Sequence, residues 1–394
     1  MAKKAYIGVD GVAKKVKKIY VGVDGKARKV KKGYIGVGGV ARPFFSGGEL
    51  AYYGNPGSAL RATVCRLAAT SVENYVLFGG GCSNSYTMTS YVTAYNTSLT
   101  RSSPSNLQSS VRDLAATKVG NYAVFAGGST YDVANGSTTR YKTATAYNNS
   151  LTKSTPSDLS SSRDHLKATS VGSYALFAGG AQATSKSKIV DAYNNSLTLS
   201  QPTQLSSAMA DHAATSVGNY ALFGGGQNAS TSASTTVNAY DASLTRSTPS
   251  ALTGSARNYL AATTVGNYAL FGGGNVYSTA LSATTVTAYN ASLTRSSASA
   301  LRRASYYLTA TSVGDYALFG GGSYDTSNSN TLTNYVTVYD TSLTRTAGTN
   351  LSTARTALTA TSVGDYAFFG GGSSDAGTYQ PSVGLNTVDI YTVA

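Results

Sequence analysis

The segment TTVGNYALFGGG, residues 263–274, joins two short β-forming runs through a Gly-Asn pair and ends in three glycines. Six variants of it occur elsewhere, and in each a tyrosine leads through a phenylalanine into two or three glycines. The seven tyrosines are Tyr75, Tyr122, Tyr174, Tyr220, Tyr268, Tyr316 and Tyr366. Successive phenylalanines are 46 residues apart at the shortest (Phe177 to Phe223) and 52 at the longest (Phe125 to Phe177). This period is typical of propellers and solenoids and predicts seven repeats.

Each repeat has the pattern of a four-stranded β-sheet. In the copy quoted above, residues 260–265 and 268–271 are predicted as the first two strands, because a Gly-Asn pair accepts the positive φ of a two-residue hairpin turn. Residues 285–289 and the Ser-Leu-Thr-Arg run at 292–295 follow as the third and fourth strands. The second strand is apolar on both faces, as expected where neighbouring sheets cover it. The predicted fold class is therefore all-β, a seven-bladed β-propeller.

The two ends of the repeat region are predicted to supply one sheet together. The first three strands occur seven times, whereas the Ser-Leu-Thr run occurs six times before the sequence ends at Ala394. Alignment of residues 58–61 with 299–302 places residues 50–53 where a fourth strand belongs. We expect this N-terminal strand to pair with residues 386–393, which closes the ring and leaves no unpaired edge.

Residues 1–45 are predicted to form a separate basic arm ahead of the propeller at 46–394. Most of the net charge of +14 lies in positions 1–42, which contain twelve lysines and arginines but two aspartates. Three copies of a short Tyr-Ile/Val-Gly-Val repeat, each followed by an Asp-Gly or Gly-Gly pair, predict three Lys-rich hairpins. The residues expected to attach this arm to a larger assembly, or to other copies of the chain, are Tyr6, Tyr20, Tyr34, Lys14, Lys15 and Lys29.

The loops between the second and third strands differ in length and sequence, whereas the strands hardly change. Variable loops on a rigid scaffold commonly carry recognition. In a propeller these loops share a face with the connections that precede the first strands, and tyrosine and arginine on that face suit a binding surface. The residues predicted to bind a ligand there are Tyr86, Tyr131, Tyr277, Tyr324, Tyr379, Arg163, Arg257, Arg303 and Arg355.

The residues that most often carry catalysis are few. The two histidines, His165 and His212, precede the first strands of adjacent repeats, and we interpret them as divergence between repeats. No catalytic residue, metal site or cofactor is predicted. Cys65 and Cys82 should lie opposite each other, since a turn at 73–74 pairs Val72 with Tyr75 and the same register reaches both cysteines. A disulfide is then geometrically allowed, and two buried thiols are the alternative.

The repeat resembles the kelch repeat of β-propellers. Three features carry the resemblance: the Phe-Gly-Gly-Gly run, the later Ala-Tyr-Asn or Ala-Tyr-Asp, and an arginine just before the first strand (Arg163, Arg257, Arg355). The chain departs from that family in having no tryptophan. The leucine of Ser-Leu-Thr is expected in its place, at Leu99, Leu151, Leu197, Leu244, Leu293 and Leu343. The basic arm, residues 1–45, is similar to short repeats at the start of tail and surface proteins of phages and prophages of Gram-positive bacteria.

These resemblances imply a non-enzymatic binding or adhesion propeller, a phage or phage-derived tail component that recognises a host-surface glycan or protein. Its expected place is the virion or the extracellular space, with virion proteins as partners of the arm. Nucleic acid is not favoured, since no reading motif accompanies the positive charge. No apolar run reaches the ~18–20 residues of a membrane span. Two alternatives stay open: a cytoplasmic kelch-type interaction module, and a carbohydrate-active or oxidase enzyme.

Overall fold

The computed structural model describes residues 48–230, 232–276, 281–325, 330–375 and 383–393, apart from the side chain of Ser85. In the first 47 residues the description is limited to the backbone of six strands, which pair consecutively into three antiparallel hairpins. These strands are Tyr6–Val9, Val12–Lys15, Ile19–Val23, Lys26–Val30, Lys32–Val37 and Val40–Ser46. Within the described residues, no helix has the length and apolar character needed to cross a membrane.

The described part of the chain contains seven four-stranded antiparallel sheets, whose strands we call inner, second, third and outer. The inner strands are Ala68–Val72, Ala115–Val119, Lys167–Val171, Ala213–Val217, Ala261–Val265, Thr309–Val313 and Thr359–Val363. The second strands are Tyr75–Gly79, Tyr122–Ala126, Tyr174–Ala178, Tyr220–Gly224, Tyr268–Gly272, Tyr316–Gly320 and Tyr366–Gly370. The third strands are Val92–Asn96, Ala144–Asn148, Val190–Asn194, Val237–Asp241, Val286–Asn290, Val336–Asp340 and Val388–Val393. The outer strands are Arg101–Ser102, Lys153–Ser154, Leu199–Ser200, Arg246–Ser247, Arg295–Ala298, Arg345–Ala347 and Leu50–Gly54.

The seventh sheet takes its outer strand from the start of the repeat region. Leu50–Gly54 pairs antiparallel with Val388–Val393, and Tyr52 lies opposite Tyr391. The Tyr52 hydroxyl donates to Asp389 Oδ1 at 2.5 Å, and the Tyr52 and Tyr391 rings meet edge-on with centroids 5.3 Å apart. The pairing expected between these two segments of the chain is therefore present.

Short strands and one helical turn form the loops and connections at one end of the sheets. Because the second strand is antiparallel to the inner strand, the second-to-third loops lie at the same end as the connections that precede the inner strands. We call this end the loop end. Its short strands are Ser129–Asp132, Ser137–Arg140, Met209–Ala210, Gln227–Asn228, Arg257–Asn258, Asn275–Val276, Leu281–Ser282, Ser323–Asp325 and Asn330–Leu332, with a 3-10 turn at Asn84–Tyr86.

The hydrophobic core lies between consecutive sheets. In the fifth sheet the buried Phe271 meets Tyr289 edge-to-face, with ring centroids 6.0 Å apart. Leu222 of the fourth sheet belongs to the same cluster. The Tyr289 hydroxyl donates to the backbone carbonyl of Ser250 at 2.6 Å, so the polar atom of this buried ring has a partner. The Phe–Tyr contact recurs in all seven sheets, which explains why both residues recur in the sequence.

The glycines after the second strand bring each sheet against the next connection. Gly273 has φ +72, and a Cβ there would lie 2.6 Å from the carbonyl oxygen of Ser305. Gly274 has φ +105, and its N–H donates to the same carbonyl at 2.8 Å. Glycine is therefore needed for both the backbone conformation and the close approach. This contact holds the connection that leads into the sixth inner strand.

Candidate functional site

One residue of each repeat, two positions before the inner strand, has a φ between +51 and +56. We call the seven residues the axial ring: Arg66, Asp113, His165, Asp211, Tyr259, Tyr307 and Ala357. Each donates its backbone N–H to the carbonyl of its counterpart in the preceding sheet at 2.9–3.2 Å, and Arg66 donates to Ala357. Left-handed backbone in a non-glycine residue is strained and persists where its surroundings hold it. Here a complete circuit of backbone hydrogen bonds holds it.

The side chains of the axial ring differ, although the backbone conformation does not. The next residue along the chain is leucine in six of the seven repeats and His212 in the fourth. These leucines are Leu67, Leu114, Leu166, Leu260, Leu308 and Leu358, and they are all buried. Six of the seven repeats therefore keep a buried leucine at this position, whereas the ring residue directly before it varies.

Four consecutive ring residues form a chain of alternating charges. The Arg66 guanidinium lies 3.0 Å from the Asp113 carboxylate. His165 lies between two carboxylates, with Nδ1 at 2.7 Å from Asp211 Oδ1 and Nε2 at 3.6 Å from Asp113 Oδ2. Burial by itself would lower the pKa of His165, but Asp211 and Asp113 outweigh it and raise the pKa to about 9. His165 is therefore charged at neutral pH.

The two carboxylates respond in the opposite direction. Burial by itself would raise the pKa of Asp113, but Arg66 and then His165 outweigh it and hold the pKa well below its usual range. For Asp211, burial is likewise outweighed, chiefly by His165, and the pKa is lowered. Both carboxylates thus stay ionised, and the side chains that carry these charges are at most 15% exposed.

The axial ring surrounds a cavity of about 120 Å³. Its lining includes the four charged residues and the rings of Tyr259 and Tyr307, whose centroids lie 4.1 Å apart with an angle of 32° between the planes. Ala357 has the smallest side chain of the ring, and the Arg66 guanidinium lies 5.9 Å from the centroid of the Tyr307 ring. The exposed Lys167, at the start of the third inner strand, also reaches this cavity.

His212 is among the residues around this cavity, and it replaces the leucine that follows the ring residue in the other repeats. Its side chain is completely buried, and its ring is 5.9 Å from that of Phe223. Neither ring nitrogen has a hydrogen-bond partner among the described residues. Burial, followed by the charge of Lys167, lowers the pKa of His212 to about 3. The imidazole is therefore neutral, and its ring packs between two sheets, where a Cβ on Gly179 would lie 2.8 Å from His212 Cε1.

Three of the arginines predicted as ligand contacts are completely buried, and this part of the predicted surface needs correction. Arg163 lies 2.6 Å from Asp191, and Arg355 lies 2.8 Å from Asp389. Arg257 donates to the carbonyl of Thr253 at 2.7 Å. The physical reason is their position at the bridge to the loop. Arg163 and Arg355 directly precede a bridged residue, and Arg257 itself pairs with Val276, and all three side chains are buried between strands.

The other predicted residues lie at the loop end where the structure describes them. The rings of Tyr86 and Tyr131 are 6.1 Å apart, and the Arg112 guanidinium lies 5.4 Å from the Tyr131 ring. Arg303 lies over the ring of Tyr324 at 3.6 Å, a cation–π contact. Two further predicted residues, Tyr277 and Tyr379, lie outside the described residues, as do the side chains of the arm residues Tyr6, Tyr20, Tyr34, Lys14, Lys15 and Lys29.

The two cysteines lie opposite each other, as the predicted register requires. Each backbone N–H donates to the other's carbonyl, at 2.9 and 3.0 Å, between Cys65 and Cys82. The thiols are buried, and the two sulfur atoms lie 2.9 Å apart. Cys65 directly precedes Arg66 of the axial ring. The bridge itself stays a prediction.

The axial ring was missed as a unit in the sequence. His165 and His212 were interpreted as divergence between repeats, whereas the structure places both at one cavity. The available signal was the alignment itself, in which one position varies directly before a leucine that hardly varies. Among the described residues, no cluster of three or more His, Cys, Asp or Glu side chains could hold a metal ion.

No protein-family model matches the chain, and no curated protein matches it. Among solved structures, the chain is similar to that of YjhT, with a TM-score of 0.57 and 11% sequence identity. The similarity covers 74% of this chain and 99% of that one. The fold is a β-propeller. At this identity the likeness concerns the fold alone, and the axial ring has to be interpreted from its own residues.

Proposed function

We propose that this propeller is a non-enzymatic binding protein that recognises a host-surface glycan or protein through its loop end. The observation that carries the proposal is the axial ring, in which one backbone conformation presents five kinds of side chain. The variable loops lie at the same end. A rigid frame with divergent residues at one end is the usual arrangement of a recognition surface.

The frame that we infer is a closed, seven-bladed, kelch-type ring. Three contacts support closure: the pairing of Leu50–Gly54 with Val388–Val393, the hydrogen bond from Arg66 to Ala357, and the packing of Thr359–Val363 beside Ala68–Val72. The paired glycines and the buried arginines before the inner strands support the kelch assignment. A closed ring has no open edge, which suits a protein that must keep its shape outside the cell.

The proposed setting is a phage or phage-derived tail, on the virion or in the extracellular space, with the basic arm at residues 1–45 as the attachment segment. The uneven charge supports this division, since positions 1–42 hold twelve of the 31 lysines and arginines. The arm's proposed partners are virion proteins or other copies of the chain. Imaging of labelled protein on particles, compared with the protein lacking residues 1–45, tests this part.

Binding of the full chain to a glycan array and to cell envelopes of Gram-positive bacteria tests the recognition role. We expect envelope binding that Arg66→Ala, which copies the residue of the seventh repeat, weakens about tenfold, the loss expected for one charged hydrogen-bonding group. The matched control is Asn267→Asp, at the opposite end of the sheets, where the sixth and seventh repeats already have aspartate. Undiminished binding by Arg66→Ala would place recognition elsewhere. A cytosolic protein partner or turnover of an arrayed glycan would contradict the proposal and favour one of the two alternatives.

A further inference from the structure

We propose that the axial cavity binds an anionic group, a phosphate or a carboxylate carried by a surface glycan. The inference rests on the proposed recognition function and narrows it from a glycan or protein to the charge of the ligand and to one place in the fold. It starts from the charged side chains at the cavity, among which the cations outnumber the carboxylates.

Five cations and two carboxylates form one cluster at the loop end, either in contact or close enough to influence one another's pKa. The cations are Arg66, Arg112, His165, Lys167 and Lys186, and the carboxylates are Asp113 and Asp211. The nearby Asp164 is paired with Arg140 at 2.9 Å and adds no net charge. The cluster therefore has three positive charges in excess, since five cations are set against two carboxylates.

The two carboxylates of the cluster are already bound by cations. Asp113 Oδ2 lies 3.0 Å from Arg66 Nη1, 3.4 Å from Arg112 Nε and 3.6 Å from His165 Nε2. Asp211 Oδ1 lies 2.7 Å from His165 Nδ1. The negative charge of the cavity is thus balanced within the protein, and the lysines are left in excess.

Lys167 is the accessible cation of the cluster. It is the first residue of the third inner strand, where the other repeats have alanine or threonine, and it is exposed at the cavity. Neither Lys167 nor Lys186 forms a salt bridge with a described residue. Burial raises the pKa of Asp211, His165 lowers it, and the charges of both lysines lower it further. Lys167 therefore brings an unpaired charge to the cavity at a position where six other repeats fold without one.

An excess of positive charge at a partly enclosed site favours an anion. Charges interact more strongly there than in bulk water, because the surrounding protein screens them less. An ammonium group donates short, charge-assisted hydrogen bonds to phosphate and carboxylate oxygens. The cavity of about 120 Å³ has room for several water molecules, and so for one such group. A cationic ligand would be repelled.

The repeats provide a variant and a matched control. Lys167→Ala copies the alanine of four other repeats, and Lys118→Ser copies the serine of five. Both lysines are exposed on inner strands, and each change removes one positive charge. Lys118 is the fourth residue of its strand, so at ~3.3 Å per residue it lies about 10 Å further from the loop end than Lys167. The comparison separates a contact in the cavity from the net charge of the chain.

The probes are methyl phosphate, the methyl glycoside of a uronic acid and the methyl glycoside of a neutral hexose. Affinity is measured by calorimetry on the full chain. The place of binding is measured by NMR with labelled histidine, which gives two imidazole signals because the chain has two histidines. The signal of His165 is the one that disappears in His165→Tyr.

We expect at least one of the two anions to bind, to shift the His165 signal, and to bind about tenfold more weakly to Lys167→Ala, as expected for loss of one charged hydrogen-bonding group. Lys118→Ser should bind as the parent does. Lys167→Ala should unfold at the same or a higher temperature than the parent, because it removes a charge from a cluster with an excess of that charge. Tighter binding of methyl phosphate would assign a phosphate, and tighter binding of the uronic acid a carboxylate.

Three results would overturn the inference. Equal affinity of the parent and Lys167→Ala would place anion binding elsewhere, such as on the basic arm. A neutral glycoside that binds as tightly as the anions would remove the role of charge. Binding that leaves the His165 signal unshifted would overturn the axial location.

Failure of the inference and failure of the proposed function give different results. Envelope binding by the parent without binding of either anion overturns the anion site and leaves the recognition role in place. Absence of both kinds of binding overturns both proposals.

Discussion

At the scale of single residues, the axial ring shows how a repeated backbone position acquires different chemistry. All seven positions have the same left-handed φ and the same hydrogen bonds, so the side chain can change without altering the frame. His165 gains its charge from two neighbouring carboxylates, whereas His212, one residue past the ring in the next repeat, loses its charge through burial. The two histidines of this chain therefore have opposite protonation states at neutral pH.

The pH dependence of stability between about pH 6.5 and pH 9 is expected to come largely from His165. Its pKa in the folded protein is about 9, above the ordinary value of 6.5, so protonation favours the folded state. The stabilisation is complete below the ordinary value and is lost as pH rises through the folded value. Urea denaturation at several pH values measures it. In His165→Tyr, which copies the fifth and sixth repeats, this part of the dependence should disappear. A parent protein equally stable across this range would contradict the assignment.

The buried arginines show a second substitution pattern within the repeats. Arg163 is paired with Asp191 in the third sheet, whereas the second sheet has Val111 and Thr145 at the equivalent positions. Arg257 has Thr287 in place of the carboxylate, and it donates to backbone carbonyls instead. A charged pair and an apolar-polar pair are thus two solutions for one site.

Asp191→Thr should destabilise the protein by about 3 kcal/mol, the lower end of the range for breaking a buried ion pair. The lower end applies because Arg163 can adopt the carbonyl contacts that Arg257 makes. The double variant Arg163→Val/Asp191→Thr, which copies the second sheet, should regain most of that loss, since no buried charge is left. Urea denaturation measures both variants. A double variant less stable than the single one would contradict this prediction, since it would show that Arg163 stabilises the sheet without its carboxylate partner.

At the scale of elements, the connection before the inner strand is the part of the repeat that holds most of the site. It lies between the glycines of two second strands and bridges to the loop of its own sheet, as Cys65 does to Cys82. The bridge to the loop and the close contacts with the two pairs of glycines fix the path of its backbone. The connection therefore presents the ring residue with little freedom.

Cys65 and Cys82 should form a disulfide on mild oxidation. They are a hydrogen-bonded cross-strand pair, whose Cα atoms are typically about 5.5 Å apart, within the range of disulfides. Intact-mass measurement with and without reductant detects the loss of two hydrogens. Cys65→Ser is the control, and it should show no such change. We expect oxidation to raise the thermal unfolding temperature, and thiols that stay free after treatment would contradict the prediction.

At the scale of the whole molecule, the stability of the fold should depend on the pairing of the first and last strands of the repeat region, Leu50–Gly54 and Val388–Val393, in one sheet. The seventh sheet has only its first three strands from the last repeat, and Leu50–Gly54 covers its outer edge. Without that strand, Val388–Val393 exposes unpaired backbone groups that can pair with another chain.

A chain starting at residue 55 should unfold at a lower temperature than one starting at residue 48 and should self-associate. The longer variant removes the arm but keeps the strand, so the comparison isolates the strand. Calorimetry measures the unfolding temperature, and light scattering measures the mass in solution. Equal stability of the two variants would contradict the role of this strand in completing the seventh sheet.

The sequence by itself determined the repeat, the strands and the register, because these depend on local properties. Two-residue turns, β-branched runs and strand-ending glycines recur in fixed order, and they predicted the opposition of Cys65 and Cys82. The partner of the Leu50 strand also followed, since a missing fourth strand could be counted. Each of these inferences needs only neighbouring residues or a count of repeats.

Only the tertiary structure decided which residues face the axis and which are buried. Seven connections that are far apart in sequence converge there, and the varying position before each leucine does not by itself show where its side chain points. A difference of two positions sends Arg66, at the ring position, to the cavity but Arg163, two residues before the ring residue His165, into the sheet interface. Side-chain direction in a bend depends on the backbone φ and on the neighbouring sheet, and both are properties of the assembled ring.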